Sequence, residues 1–137
     1  MKRSIWLLFI SALALILGLK AVDLGWFSSR EPLELNNAPA LLFFNKSRGC
    51  ECELYVYDNA NAQFDAWKSP IAIHRIDLDR RPDLGQQYRI VRAPALVLVD
   101  AGGQVVWKQG DSLSDELPLD LKQVEVQVGR LLETDLP

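Results

Sequence analysis

The sequence predicts an α/β fold: a mixed sheet of four or five strands flanked by helices and preceded by an N-terminal transmembrane helix. Three observations indicate this architecture. Short apolar runs typical of buried strands alternate with helical segments between residues 40 and 134. A turn with two glycines, Gly102 and Gly103, connects the last two of these runs. A long apolar stretch follows the basic residues Lys2 and Arg3.

Residues 1–27 are predicted to be a membrane anchor or a signal segment. A cleaved signal peptide has this basic start and this apolar core, but Lys20 and Asp23 crowd the positions of a small-residue cleavage site. An uncleaved helix from about Ile5 to Val22 is short for a membrane span but sufficient, and we favour it. A buried helix of a soluble protein is the least favoured alternative. Because basic residues stay inside, we expect a single-pass protein with an extracytoplasmic domain.

The composition of the 137 residues fits one domain plus an appendage. The chain has 15 Lys and Arg against 18 Asp and Glu, and no basic cluster that could follow a phosphate backbone, so we expect no nucleic-acid partner. Residues 28–39 are polar and rich in Pro and Asn, which predicts a linker; Leu33 and Leu35 could form a short edge strand there. The domain itself is predicted over 40–134.

The first half of the domain predicts a strand–helix–strand unit and a short helix. The continuous apolar run Ala40–Phe44 indicates a strand buried on both faces. Residues 52–67 predict a helix, and Ile71–Ile76 a second strand. Arg81 and Pro82 open a short helix that runs to about Tyr88, since proline suits a first helical turn.

The second half predicts a hairpin and a final helix. Ala95–Val99 and Val105–Lys108 are the hairpin strands. Pro118 is placed in the first turn of the last helix, with Asp115 and Glu116 near the positive end of its dipole. Its apolar residues recur at steps of three and four, which indicates a face packed on the sheet; they are Leu117, Leu121, Val124, Val128 and Leu131.

Cys50 and Cys52 are the only cysteines of the chain. A disulfide between such near neighbours closes almost no loop and adds little stability, so the pair is better suited to opening and closing than to stapling the fold. At the start of a helix, free N–H groups would stabilise a thiolate. The basic neighbours Lys46 and Arg48 would add to this stabilisation of the thiolate, and the acidic neighbours Glu51 and Glu53 would oppose it. The sequence leaves the sign of the net effect on the thiolate open.

The element order, with a cysteine pair after the first buried strand and a proline before the hairpin, resembles the thioredoxin family over residues 40–132. The similarity is strongest over 75–79, 83–84, 88–100, 102–106 and Gly110. The resemblance implies that Pro94 follows a cis peptide bond and faces the cysteines. It also implies that Ala93 and Pro94 shape a groove for an extended substrate segment.

Two departures from the thioredoxin pattern concern the cysteines. One residue, Glu51, separates them instead of two, and no aspartate lies in the preceding strand. Glu51, Glu53 or water would then have to assist proton transfer. The resemblance implies that Cys50 is the attacking thiol and Cys52 the resolving thiol. The short spacing leaves open a second alignment, in which Cys52 takes the buried position and Cys50 lies in the turn between the two cysteine positions. A strained Cys-x-Cys ring predicts an oxidising or isomerising pair.

The function predicted from the resemblance is thiol–disulfide exchange with protein substrates through Cys50 and Cys52, without a cofactor or bound metal and as a monomer. A non-catalytic thioredoxin-like scaffold at the membrane is the main alternative. Copper handling by the two thiolates is less favoured, because His74 is the only histidine and lies in a strand. The resemblance implies that Asp77 and Asp79 are strand-end and loop residues, and Trp67 and Trp107 are predicted to be packing residues.

Overall fold

The computed structural model describes residues 2–23, 31–110 and 114–134, with side chains from residue 5 onward except that of residue 23. The chain divides into two compact units, 1–31 and 32–137, and each is considered by itself. The first contains helix α1, Lys2–Asp23, and the second contains all the strands that the structure describes.

Helix α1 has an 18-residue window, Ile5–Val22, that is apolar and long enough to cross a membrane; an N-terminal signal sequence meets the same criterion. At 1.5 Å per residue this window spans about 27 Å, close to the thickness of a hydrocarbon core. Its hydroxyl group, on Ser11, donates to the Leu8 carbonyl at 3.0 Å, so that donor is satisfied within the helix.

The second unit is a four-stranded mixed sheet with helices on both faces, as the sequence predicts. Strand β1 pairs parallel with β2 and antiparallel with β3, and β3 pairs antiparallel with β4, which gives the order β2-β1-β3-β4. The elements are β1 Ala40–Asn45, α2 Glu51–Ala66, β2 Ala72–Asp77, α3 Pro82–Gln87, β3 Ala95–Val99, β4 Val105–Gln109 and α4 Leu121–Thr134.

Strand β1 is buried along its whole length because each face of the sheet carries its own core. Alternate side chains point to opposite faces. Leu42 and Phe44 pack on the face covered by α3, and Leu41 and Phe43 on the face covered by α2 and α4. On that second face the Phe43 and Phe64 rings stack with centroids 4.6 Å apart. The predicted double burial of this strand is confirmed.

The start of the last helix was predicted wrongly. Helix α4 begins at Leu121, so Pro118 lies before it and Leu117 is exposed. The Gln63 amide accepts from the Leu119 N–H at 3.0 Å and donates to the Leu119 carbonyl at 3.1 Å. These bonds hold residue 119 against α2. Asp120 then caps α4, because its Oδ1 accepts from the Gln123 N–H at 3.1 Å. The rest of the apolar stripe packs as predicted.

The segment before β1 also differs from its prediction. Leu33 and Leu35 form no strand; they pack against the core on the α3 face. Asn36 and Asn37 both have φ of 51°, and the Ala38 N–H donates to the Leu35 carbonyl at 3.1 Å. This left-handed turn ends the extended backbone that strand pairing would need.

Candidate active site

The two cysteines lie at the N-terminus of α2, where the sequence places them. Cys50 is the N-cap residue, in an extended conformation, and Cys52 is in the first turn. Both side chains are exposed, and both are free thiols. The unpaired N–H groups of this first turn and the helix dipole favour a thiolate here.

Glu53 folds back onto Cys50 in a capping box. Its Oε2 accepts from the Cys50 N–H at 3.1 Å, while its own N–H points to the Cys50 sulfur. Gly49 makes room for this arrangement, since a Cβ at that position would lie 2.6 Å from Glu53 Oε2. The spacing of a capping box, with cysteine in place of serine or threonine, was the signal in the sequence that could have revealed this contact.

The loop that delivers Cys50 is held by two carboxylates from the end of β2. Asp79 Oδ2 accepts from the N–H groups of Ser47 at 3.0 Å and Arg48 at 2.9 Å. The Ser47 hydroxyl donates to Asp77 Oδ2 at 2.7 Å. Asp77 ends β2 and Asp79 lies in the turn after it, as predicted. Their contacts with the loop before the cysteines could not be predicted, because they span about thirty residues.

The two thiols differ in acidity. A hydrogen bond from the Cys52 S–H to the Cys50 sulfur, with the Glu53 N–H, lowers the pKa of Cys50; slight desolvation of this exposed thiol and the Glu53 carboxylate act against it. The same S–H···S interaction raises the pKa of Cys52, with slight desolvation and the Cys50 charge adding to the effect. The pKa of Cys50 is thus lowered and that of Cys52 raised, which favours the thiolate on Cys50.

A cavity of about 410 Å³ brings Cys52 together with Ala93. The peptide bond between Ala93 and Pro94 is cis, as predicted. Pro94 itself is buried and is not part of the cavity lining, so its facing the cysteines stays a prediction. Cys50 lies outside the cavity lining. Burial raises the pKa of Tyr57 on the cavity wall, and the charges of Glu53 and Asp79 add to this. The lining residues are Lys46, Cys52, Glu53, Val56, Tyr57, Val91, Arg92, Ala93 and Asp115.

The remaining candidates lie away from the thiols. His74 pairs with Leu42 in the register of β2 and β1. Trp67 and Trp107 pack on the core, and the Trp67 Nε1–H donates to Glu125 at 2.9 Å. Within residues 2–23, 31–110 and 114–134, no group of three or more His, Cys, Asp or Glu side chains is placed to bind a metal ion.

Comparison with known proteins gives a likeness of fold alone. No family model matches the chain, and no curated protein matches it. A mutant thioredoxin from Halobacterium salinarum is 19% identical, with a TM-score of 0.51 over 74% of this chain and 80% of that one. The second unit has a thioredoxin-like fold. Mitochondrial thioredoxin 3 from Saccharomyces cerevisiae, 18% identical over 69% of this chain and 80% of its own, gives a TM-score of 0.47.

Proposed function

We propose that this protein is a membrane-anchored, extracytoplasmic thiol–disulfide oxidoreductase that acts on protein thiols and disulfides through Cys50 and Cys52. One observation carries the proposal. Two free, exposed thiols of unlike acidity share a hydrogen bond at a helix N-terminus, and one of them shares a cavity with the residue before a cis-proline. A purely structural cysteine pair has no need of this exposure or of this asymmetry.

The chemistry follows from the acidity of each thiol. The Cys50 thiolate attacks a substrate disulfide, a Cys50–substrate S–S bond forms, and the other substrate sulfur leaves as a thiolate. Cys52 then loses its proton and attacks the Cys50 sulfur, which releases the second substrate thiolate. Two electrons pass from the dithiol to the substrate, and two protons follow. The reverse sequence oxidises a substrate dithiol.

The surroundings support a role for Ala93 in substrate binding, with the cis peptide bond to Pro94 shaping the loop that presents it. The cavity that holds Cys52 is open to solvent and walled on one side by the loop of residues 91–93. Val91 on that loop is 93% exposed. An extended substrate segment that lies along this loop would place its disulfide over the first turn of α2. The basic start of α1 supports an outward-facing domain.

Insulin reduction tests the activity. The full chain in detergent micelles, supplied with dithiothreitol, should accelerate insulin precipitation, and Cys50→Ser should abolish the acceleration. Cys52→Ser should also lose turnover, because the mixed disulfide can no longer be resolved. If the wild type and both variants are equally inactive across glutathione redox buffers, the enzyme proposal fails and a binding scaffold is the better explanation.

Covalent trapping tests the substrate class. Cys52→Ser expressed in the native host should accumulate mixed disulfides between Cys50 and extracytoplasmic proteins, which mass spectrometry identifies after non-reducing separation. Cys50→Ser is the matched control and should trap far less. Equal trapping by the two variants would contradict the assignment of Cys50 as the attacking residue.

A further inference from the structure

The Glu53 side chain has a conformation that only its immediate neighbours permit. It bends back along the first turn of α2, and its Oε2 accepts from the Cys50 N–H at 3.1 Å. A Cβ on residue 49 would lie 2.6 Å from that oxygen and 3.0 Å from the Glu53 Cβ. Real Cβ atoms do not come so close to other atoms, so a side chain at residue 49 would displace the carboxylate.

We propose that Glu53 is a positioning residue that sets the reactivity of the Cys50 thiol, because its carboxylate, folded over Gly49 onto the Cys50 N–H, fixes the sulfur at the helix start and holds a negative charge beside it. The inference rests on the proposed function, since it concerns the same thiol pair. It assigns Gly49 the matching role of leaving space for that carboxylate.

Glu53 acts on the thiol in two opposite ways. Its N–H lowers the pKa of Cys50, and its carboxylate raises the pKa of the same thiol. Cys50 is therefore less acidic than the helix terminus and the Cys52 S–H alone would make it. A thiolate of higher pKa is the better nucleophile, so the carboxylate retains attacking power. The other charged side chains near Cys50 in the chain are Lys46, Arg48 and Glu51, and Arg92 and Asp115 line the adjoining cavity that holds Cys52.

Three variants of the full chain in detergent micelles separate charge from position. Glu53→Gln removes the charge and keeps an oxygen that can accept from the Cys50 N–H. Gly49→Ala keeps the charge and displaces it. Glu51→Gln is the control: it removes an equal charge from the same first turn, and the structure shows no hydrogen bond from its side chain to Cys50. The readout is the pH dependence of Cys50 alkylation by iodoacetamide, followed by mass spectrometry.

Glu53→Gln should lower the pKa of Cys50 enough to raise its thiolate fraction, below that pKa, by about threefold to tenfold. Gly49→Ala should act in the same direction with a smaller change, and Glu51→Gln should change the fraction less than twofold. A merely structural cap predicts the opposite pattern, in which Glu53→Gln leaves the alkylation profile unchanged and alters only the unfolding temperature.

The proposal is overturned if Glu53→Gln leaves the profile of Cys50 unchanged, or if Glu51→Gln shifts it equally. It is also overturned if a folded Gly49→Ala variant matches the wild type. Should Gly49→Ala fail to fold, the two glutamate variants still decide. Thiol ionisation is measured without any substrate, so it tests this inference separately from the activity. If the wild type is inactive toward insulin but Glu53→Gln still shifts the alkylation profile of Cys50, the proposed function is wrong and this inference is retained.

Discussion

The Cys50 and Cys52 thiols lie two residues apart, yet their surroundings separate them chemically. Cys50 receives the Cys52 S–H and the Glu53 N–H, and both contacts favour its thiolate. Cys52 gives its proton to that bond, which raises the pKa of Cys52. The pair thus consists of one sulfur whose thiolate form is favoured and one whose thiol form is favoured.

This asymmetry predicts the order of alkylation. Near neutral pH under reducing conditions, limiting iodoacetamide should modify Cys50 before Cys52, which peptide mass spectrometry of the full chain would show. Cys52→Ala removes the S–H donor, so the pKa of Cys50 should rise and its alkylation at pH 7 should slow. Cys52→Ser keeps a hydroxyl donor and should slow it less. Preferential labelling of Cys52 in the wild type would contradict this assignment.

Asp79 predicts a local effect on the loop before the cysteines. Asp79→Ala removes the acceptor of the Ser47 and Arg48 N–H groups. A lost hydrogen bond of this kind is worth about 1 kcal/mol, so exchange of these two amides should accelerate about fivefold. Hydrogen exchange with mass spectrometry over residues 46–49 measures it. Asp58→Ala, on the exposed face of α2, should leave the segment unchanged; an equal change in both variants would refute the role.

At the scale of elements, the Gln63 side chain of α2 holds the segment that leads into α4. Both polar atoms of its amide bind the backbone of buried Leu119. Gln63→Ala leaves that N–H and that carbonyl without a partner, so the free energy of unfolding should fall by about 1–3 kcal/mol. Chemical denaturation followed by tryptophan fluorescence checks it, with Gln123→Ala on exposed α4 surface as control. A loss under 0.5 kcal/mol would show that water replaces the amide at about equal free energy.

Helix α3 predicts a dependence of stability on pH. The Arg81 guanidinium contacts Asp83 at 2.8 Å and lowers the pKa of that carboxyl. The pKa of Asp83 in the folded state lies below the unfolded value of about 3.9. The ionised carboxylate therefore stabilises the fold above about pH 3.9, and this stabilisation is lost as the pH falls through the folded pKa. Asp83→Asn should therefore cost about 0.5–1 kcal/mol at pH 7 and less at pH 2. An equal cost in denaturation curves at both pH values would contradict this origin.

Local pattern was enough to predict the elements, and long-range contacts account for the errors. The apolar run of β1 specified a strand buried on both faces, and the turn before β4 specified the hairpin, because each depends on neighbours in sequence. The start of α4 was wrong since Gln63, some 56 residues earlier, fixes Leu119. The Asp79 contacts with the cysteine loop were equally hidden, while the Glu53 contact, only three residues from Cys50, was within reach of the sequence.

For the molecule as a whole, the proposed function assigns a different role to each unit: membrane anchoring to the unit with α1 and thiol chemistry to the unit with the sheet. Helix α1 exposes apolar side chains along Ile5–Val22, and in the proposed function it would anchor the protein in a membrane. The sheet unit has two hydrophobic cores of its own, one on each face of the sheet.

This division predicts where the thiols are. The full chain should remain in the membrane after carbonate extraction, with the mass of an uncleaved polypeptide. A membrane-impermeant maleimide should label Cys50 in right-side-out vesicles and reach it in inside-out vesicles only after detergent is added, since the basic residues Lys2 and Arg3 stay inside. The Cys50→Ser, Cys52→Ser double variant controls for nonspecific labelling.

Two outcomes would contradict this arrangement. Release by carbonate with a shortened mass would show that α1 is a cleaved signal. Labelling in intact inside-out vesicles would place the domain in the cytoplasm, where the proposed extracytoplasmic substrates are absent.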